Sequence, residues 1–203
     1  MIIKCYNEKH PYILFIDIEF NNQTLVQFAG LLFKKIDDEC YQLYRSCNQY
    51  VTTKVCYPFM DYTAITNNFL DENGIPLKDL VELIFNDFLA DIDFDDLEII
   101  SHGLKNDRLI LNANGINLSN YVAQPSKKVK PIDGYCTFNN AKRILKRLGH
   151  LTVADLCRES GYYLHNAHNA FNDVWAEVAI FTYLKKVEEQ QLQEMEEEDK
   201  CVL

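Results

Sequence analysis

The chain has 203 residues, 48% of them hydrophobic and 25% charged, which fits one domain with a single sizeable core better than two full domains. Its 20 Lys and Arg against 30 Asp and Glu give a formal net charge of −10, which argues against a protein that coats nucleic acid through a global positive field. Seven scattered cysteines with no C-x-x-C pair suggest neither a disulfide framework nor a zinc ribbon and suit a reducing compartment.

In chain order, residues 12–20 (YILFIDIEF) form a short apolar run that reads as a strand buried on both faces. Asp17 and Glu19 interrupt it and no small-residue cleavage site follows, so it does not read as a secretory signal. Residues 24–36 and 40–51 carry strand patterning with a charged turn between them, completing an antiparallel meander. Residues 77–90 have helical spacing, 97–101 read as a strand, and 104–112 as a helix ending at Asn114-Gly115. A basic loop (SKKVK) leads to a short strand near 131–135. Helices follow at 139–148, at 152–160, where Thr152 and Asp155 suggest a capping box, and from about 170 toward the C-terminus. No run reaches the ~18 apolar residues of a membrane span, and Cys201 misses the prenylation position. A cytoplasmic protein with no membrane partner is expected. The element order predicts an α/β fold with a ribonuclease H-like, five-stranded mixed sheet: three antiparallel strands, then parallel crossovers, flanked by helices.

Three groups of acids stand out. Asp17 and Glu19, two apart in a strand, leave the same face of the sheet, where two adjacent negative charges are costly unless a cation neutralises them. Asp107 sits in the early turns of a helix that begins directly after a strand and a Gly. His168 and Asp173 stand near the start of the last helix, whose apolar residues Phe171, Val174, Trp175, Val178 and Ala179 predict one buried face. Alone, each fits an ordinary reading: a strand end in solvent, a helix-surface acid, a capping histidine. Their order along the chain is what is specific.

That order resembles the DnaQ-like, or DEDDh, family of 3′→5′ exonucleases. FIDIE matches the first motif (Asp17, Glu19), HGLKND the second (Asp107), and HNAFND the third (His168, Asp173). The stretches ITNNFL with GIPL, PIDGYC and LTVADLC extend the similarity over roughly residues 10 to 185. The chain departs from the family where Phe20, Asn21 and Asn22 replace a small polar turn after D-x-E, which bears on whether DNA or RNA is the substrate. The resemblance implies a ribonuclease H-like fold and hydrolysis of phosphodiester bonds at a nucleic-acid 3′ end, with DNA favoured. Alternatives are an exoribonuclease and a non-catalytic or proofreading-type module in a larger complex. It also implies two divalent cations, Mg²⁺ or Mn²⁺, held by Asp17, Glu19, Asp107 and Asp173, with His168 as general base. A protein partner or a homodimer stays open.

Residues 127 to 147 hold seven bases (Lys127, Lys128, Lys130, Lys142, Arg143, Lys146, Arg147) against one acid, Asp133. On a continuous helix the last four form one stripe. Phe20, Asn21, His102, Lys142, Arg143 and Lys146 are the expected nucleic-acid contacts. Residues 188–200 hold seven acids and one lysine and read as a frayed helical or disordered tail. The expected organisation is an exonuclease domain over 1–187 and an acidic tail over 188–203.

Overall fold

The computed structural model describes residues 1–6, 8–118, 133–149 and 151–201. The bases Lys127, Lys128 and Lys130, and the expected strand start at Pro131, lie outside the described residues. The predicted meander is present as β2 (Tyr12–Asn21), β3 (Thr24–Lys35) and β4 (Cys40–Val51), after a short β1 (Ile2–Lys4). Asn22 makes the β2–β3 turn with φ +58°, a left-handed conformation that asparagine tolerates. Strands β6 (Leu97–Ser101) and β7 (Asp133–Cys136) add in parallel beside β2, giving the spatial order β1-β4-β3-β2-β6-β7. The five expected strands are thus joined by two short ones: β1, and β5 (Gly74–Ile75), which also pairs with β4.

Alternation along β2 divides the core. Ile13 and Phe15 face a cluster with α5 (Thr137–Ile144), α6 (Val153–Ser160) and α7 (Ala170–Cys201). Leu14, Ile16 and Ile18 face α3 (Leu77–Leu83) and α4 (Leu104–Ala113). β3 lies in the middle of the sheet and is buried on both faces from Leu25 to Phe33, as a covered strand requires. A third cluster of Val26, Val55, Ile65 and Leu70 pins α1 (Tyr57–Thr63) and α2 (Asn67–Asn73), helices that the sequence pattern did not predict.

Three further elements differ from expectation. The helix expected over 77–90 is α-helical only to Leu83 and continues as a π-turn over Ile84–Phe88. The helix expected over 139–148 runs over Thr137–Ile144. There Lys146 adopts φ +52° and the Arg147 N–H reaches the Lys142 carbonyl at 3.2 Å, a Schellman-type stop. Lys146 and Arg147 therefore lie beyond the helix, and the single basic stripe is not formed. The C-terminal segment continues α7 to Cys201; its first turn docks on α5 through Glu188 to Arg143 (2.6 Å) and Gln191 to the Ile144 carbonyl (3.1 Å). The Thr152–Asp155 capping box is present. Among the described residues no helix is long and apolar enough to cross a membrane.

Candidate active site

Strand β2 outruns its parallel neighbour. The β2–β6 register runs from Tyr12–Leu97 to Phe15–Ile100, after which the chain leaves β6 through Ser101, His102 and Gly103 into α4. Asp17 and Glu19 therefore emerge past the carboxyl end of β6, where open α/β sheets place their ligands. They continue the Ile13–Phe15 face, toward α7, and the strand bulges directly after Glu19.

The start of α7 is fixed to the same spot. Gln27, which faces Glu19 across the β2–β3 ladder and is fully buried, accepts the Ala170 N–H through Oε1 at 3.1 Å and donates through Nε2 to Asn48 at 2.9 Å. Asn169 caps the helix by accepting the Phe171 N–H at 3.1 Å. Asp173, one turn in, accepts the His168 N–H through Oδ2 at 2.9 Å. One oxygen each of Asp17, Glu19 and Asp173 lie within 4.8 Å of one another. Asp107, buried in the first turn of α4, accepts a hydrogen bond from the Ser101 hydroxyl.

These carboxyls resist ionisation. Burial, then the charges of Asp107, Asp173 and Glu19, push Asp17 well above its ordinary range. Burial and then Asp173 raise Glu19 to about 7. Burial also raises Asp107, against the Ser101 hydrogen bond, and Asp173, against its bonds from the His168 and Asn169 backbone. Among the described residues no Lys or Arg pairs with any of the four, and Asp173 Oδ1 is buried without a hydrogen-bond partner. Converging hard oxygens, an orphaned acceptor and no internal cation are what a divalent metal such as Mg²⁺ or Mn²⁺ fits.

His168 adopts φ +69°, and its ring lies against that of Tyr62 from α1, with centroids 3.8 Å apart and 36° between planes. Beside them opens a cleft of about 570 Å³, walled by Tyr62, His102, Phe138, Leu164, His168 and Asp173 among others.

No protein-family model matches the chain, and no curated protein matches it. Solved structures do. The nuclease domain of 3′hExo, a DEDDh family member, bound to rAMP is 14% identical, with 88% of this chain and 94% of that chain covered and a TM-score of 0.66. Exonuclease X in complex with 5′-overhanging duplex DNA is 14% identical over 86% of this chain and 91% of that one, with a TM-score of 0.59. E. coli Exonuclease I in complex with a dT13 oligonucleotide is 16% identical over 90% of this chain and 42% of that one, with a TM-score of 0.65. The fold is that of the DEDDh 3′-exonucleases.

On this DEDDh fold the residues expected to touch nucleic acid are placed unevenly. Phe20 packs against the α3–α4 side of the core, and Asn21 Oδ1 accepts from the Cys56 thiol at 3.2 Å. His102 lines the cleft while its ring nitrogens lie 3.0 Å from Thr137 Oγ1 and from the Leu151 carbonyl. Lys142 stands over the Phe138 ring at 4.3 Å, at the cleft wall. Arg143 is held by Glu188 and Asn140, and Arg147 by Glu159; Lys146 is exposed.

Two residues of the site were missed in the sequence. Tyr62 lies on a helix whose pattern gives no sign of burial. Glu177 is fully buried, with Oε1 accepting the His102 N–H at 2.8 Å. Burial raises its carboxyl well above the ordinary range, and the charge of Asp17 adds most to that. Its signal was available: Ala170, Val174, Glu177, Phe181 and Leu184 are spaced as one buried stripe, whereas Phe171, Trp175 and Ala179, expected on the buried face, are half-buried.

Proposed function

We propose that this protein is a divalent-metal-dependent 3′→5′ exonuclease acting on nucleic-acid 3′ ends, with DNA the first substrate to test. The observation that carries this reading is the gathering of Asp17, Glu19 and Asp173, with Asp107 bearing on Asp17, beside His168 at the carboxyl edge of a DEDDh fold. Asp17, Glu19 and Asp173 would hold one cation, and Asp17 with Asp107 a second. When bound, such cations polarise a phosphodiester and make water more acidic. The protein groups divide the remaining work. The cleft walled by Phe138 and Leu164 has the size of a nucleotide site and would receive the terminal base while keeping water from it. His168 would take the proton of the attacking water on an imidazole nitrogen, with the Tyr62 ring limiting how far the imidazole swings. Lys142, at the rim, would meet the phosphate backbone. Residues 1–187 would form the catalytic unit, and the helical acidic extension would lie outside it.

The test is degradation of matched 5′-labelled single-stranded DNA, duplex DNA and RNA across a Mg²⁺ and Mn²⁺ titration. A ladder shortening from the 3′ end, abolished by chelation and by Asp17→Asn, is expected. Cutting of a circular substrate would point to an endonuclease instead. Binding without hydrolysis of all three at every metal concentration would overturn the enzymatic reading in favour of a silent binding module.

A further inference from the structure

Glu177 follows Asp173 by four residues on α7, so the two side chains leave the same side of the helix, one turn apart. One oxygen, Oε1, does a structural job. By accepting the His102 N–H at 2.8 Å it ties α7 to the β6–α4 turn, and that turn leads into the helix carrying Asp107. The other oxygen, Oε2, is buried with no hydrogen-bond partner among the described residues. Beyond the effect of burial itself, the charges bearing on this carboxyl are Asp17 first, then Asp107 and Asp173. A residue with 0% exposure thus has one oxygen without a hydrogen-bond partner among the described residues and feels the charge of three carboxylates of the site.

A glutamine would do the structural job equally well. Its carbonyl would accept the same amide, its NH₂ could donate to Asp17, and no fifth acid would be added to the site. An unpaired buried carboxylate is the costly choice unless a cation stands within reach of its charge. We propose that Glu177 is an outer carboxylate of the metal centre, which holds the His102 turn with one oxygen and, with the other, raises the centre's affinity for divalent cations from behind Asp17. It is a positioning residue that stands apart from the Asp17, Glu19 and Asp173 oxygens grouped within 4.8 Å. The inference rests on the metal-dependent reading above and deepens it.

The experiment is Mn²⁺ binding to the full chain by calorimetry and by loss of the free-Mn²⁺ resonance, alongside melting temperature in chelator, for wild type, Glu177→Gln, Glu177→Ala and Asp17→Asn. Glu177→Gln keeps the His102 contact and is expected to melt above wild type in chelator while binding Mn²⁺ about tenfold more weakly, the low end for loss of an outer partner. A purely structural residue would not move these two readouts in opposite directions. Glu177→Ala is expected to lose at least as much Mn²⁺ affinity and to melt lower than Glu177→Gln. Wild-type Mn²⁺ affinity in Glu177→Gln would overturn the proposal, as would a loss confined to Glu177→Ala, which would assign the effect to the His102 contact alone. If Glu177→Gln does not fold, Mn²⁺ affinity decides on Glu177→Ala: wild-type affinity there overturns the proposal. Failure of wild type itself to bind Mn²⁺ is a different result, since it would sink the metal reading of the whole site.

Discussion

Among the described residues neither nitrogen of the His168 imidazole is engaged by a protein donor or acceptor; the ring is located by its backbone at φ +69° and by the face of Tyr62. Both restraints matter for how the proposed base is tested. Asparagine tolerates the left-handed region better than alanine, so His168→Asn separates loss of the base from backbone effects. Its turnover should fall by about 10²–10⁴, the usual contribution of a general base, while Mn²⁺ affinity stays at the wild-type value; unchanged turnover would remove the histidine from the chemistry. Tyr62 acts through ring contact, so Tyr62→Phe should stay near wild type. Tyr62→Ala, which frees the imidazole, should lower kcat about tenfold with little change in KM, since small misplacements of a catalytic group are costly. Equal losses in the two Tyr62 variants would show that the hydroxyl, near Glu19 and Asp173, is the part that counts.

At the level of elements, α5 and the turn after it set where backbone phosphates can be met. Because Lys146 turns left-handed and ends the helix, the four bases diverge: Lys142 lies against Phe138 at the cleft, Arg143 and Arg147 are committed to Glu188 and Glu159. Lys142→Glu should weaken substrate binding and shallow the slope of log K against log salt by roughly 1 or more, as loss of a phosphate contact does. Arg147→Glu should leave that slope where it is; equal effects would restore a broad basic face. The same helix shows where sequence reading reaches its limit. β2 was legible because a short apolar run carries two acids two residues apart and so on one face, and α7 because Asp173 and the apolar spacing behind it begin together. The end of α5 was not, since nothing in KRILKRLG requires a non-glycine left-handed residue. Helices α1 and α2 escaped because seven-residue helices show too little periodicity, and α1 has no buried residue at all. Glu177 escaped because a glutamate on a helix is read as solvated by default, although its position on the stripe says otherwise.

Taken as a whole molecule, the parallel strands carry a carboxylate cluster at each end, and the two are balanced differently. At the amino ends, near the starts of β2, β6 and β7, Glu8 meets Lys185 at 3.0 Å and His10 at 2.9 Å, His10 meets Asp133 at 3.3 Å, and Glu98 lies alongside. Lys185 and His10 bring cations of the chain itself into that cluster, through Glu8. The helix that supplies Lys185 supplies Asp173 twelve residues, or about 18 Å, away, and there no Lys or Arg pairs with the carboxyls among the described residues. The formal −10 that argued against nucleic acid divides accordingly: the acidic segment 188–200 holds −6, and the proposed metal site concentrates four more acids. The clusters also set the pH dependence of folding. At Glu8, burial is outweighed by Lys185 and His10, which hold the carboxyl near 2; its stabilisation is present above the unfolded value of about 4.5 and lost only as pH falls toward 2. Glu98 is raised to about 8 by burial and then by Glu8, so the unfolded chain releases that proton first and stability declines as pH climbs from 4.5 to 8. His10, raised despite burial by its hydrogen bond to Glu8, acts in the same direction: its contribution is complete below about 6.5 and disappears as pH passes its folded value. In the metal-free protein Asp17, Glu19 and Glu177 add to the decline. The melting temperature in chelator should therefore fall steadily from about pH 5 to about pH 8, Glu98→Gln should flatten part of that slope, and Mn²⁺ should raise the melting temperature most at the alkaline end, where protons no longer compete for the site's carboxyls and the stabilisation, which grows with the logarithm of affinity, is largest. A melting temperature that is flat or rising over this range in chelator would mean that these carboxyls ionise freely in the fold, and with that the electrostatic case for a cation at the Asp17 end would be lost.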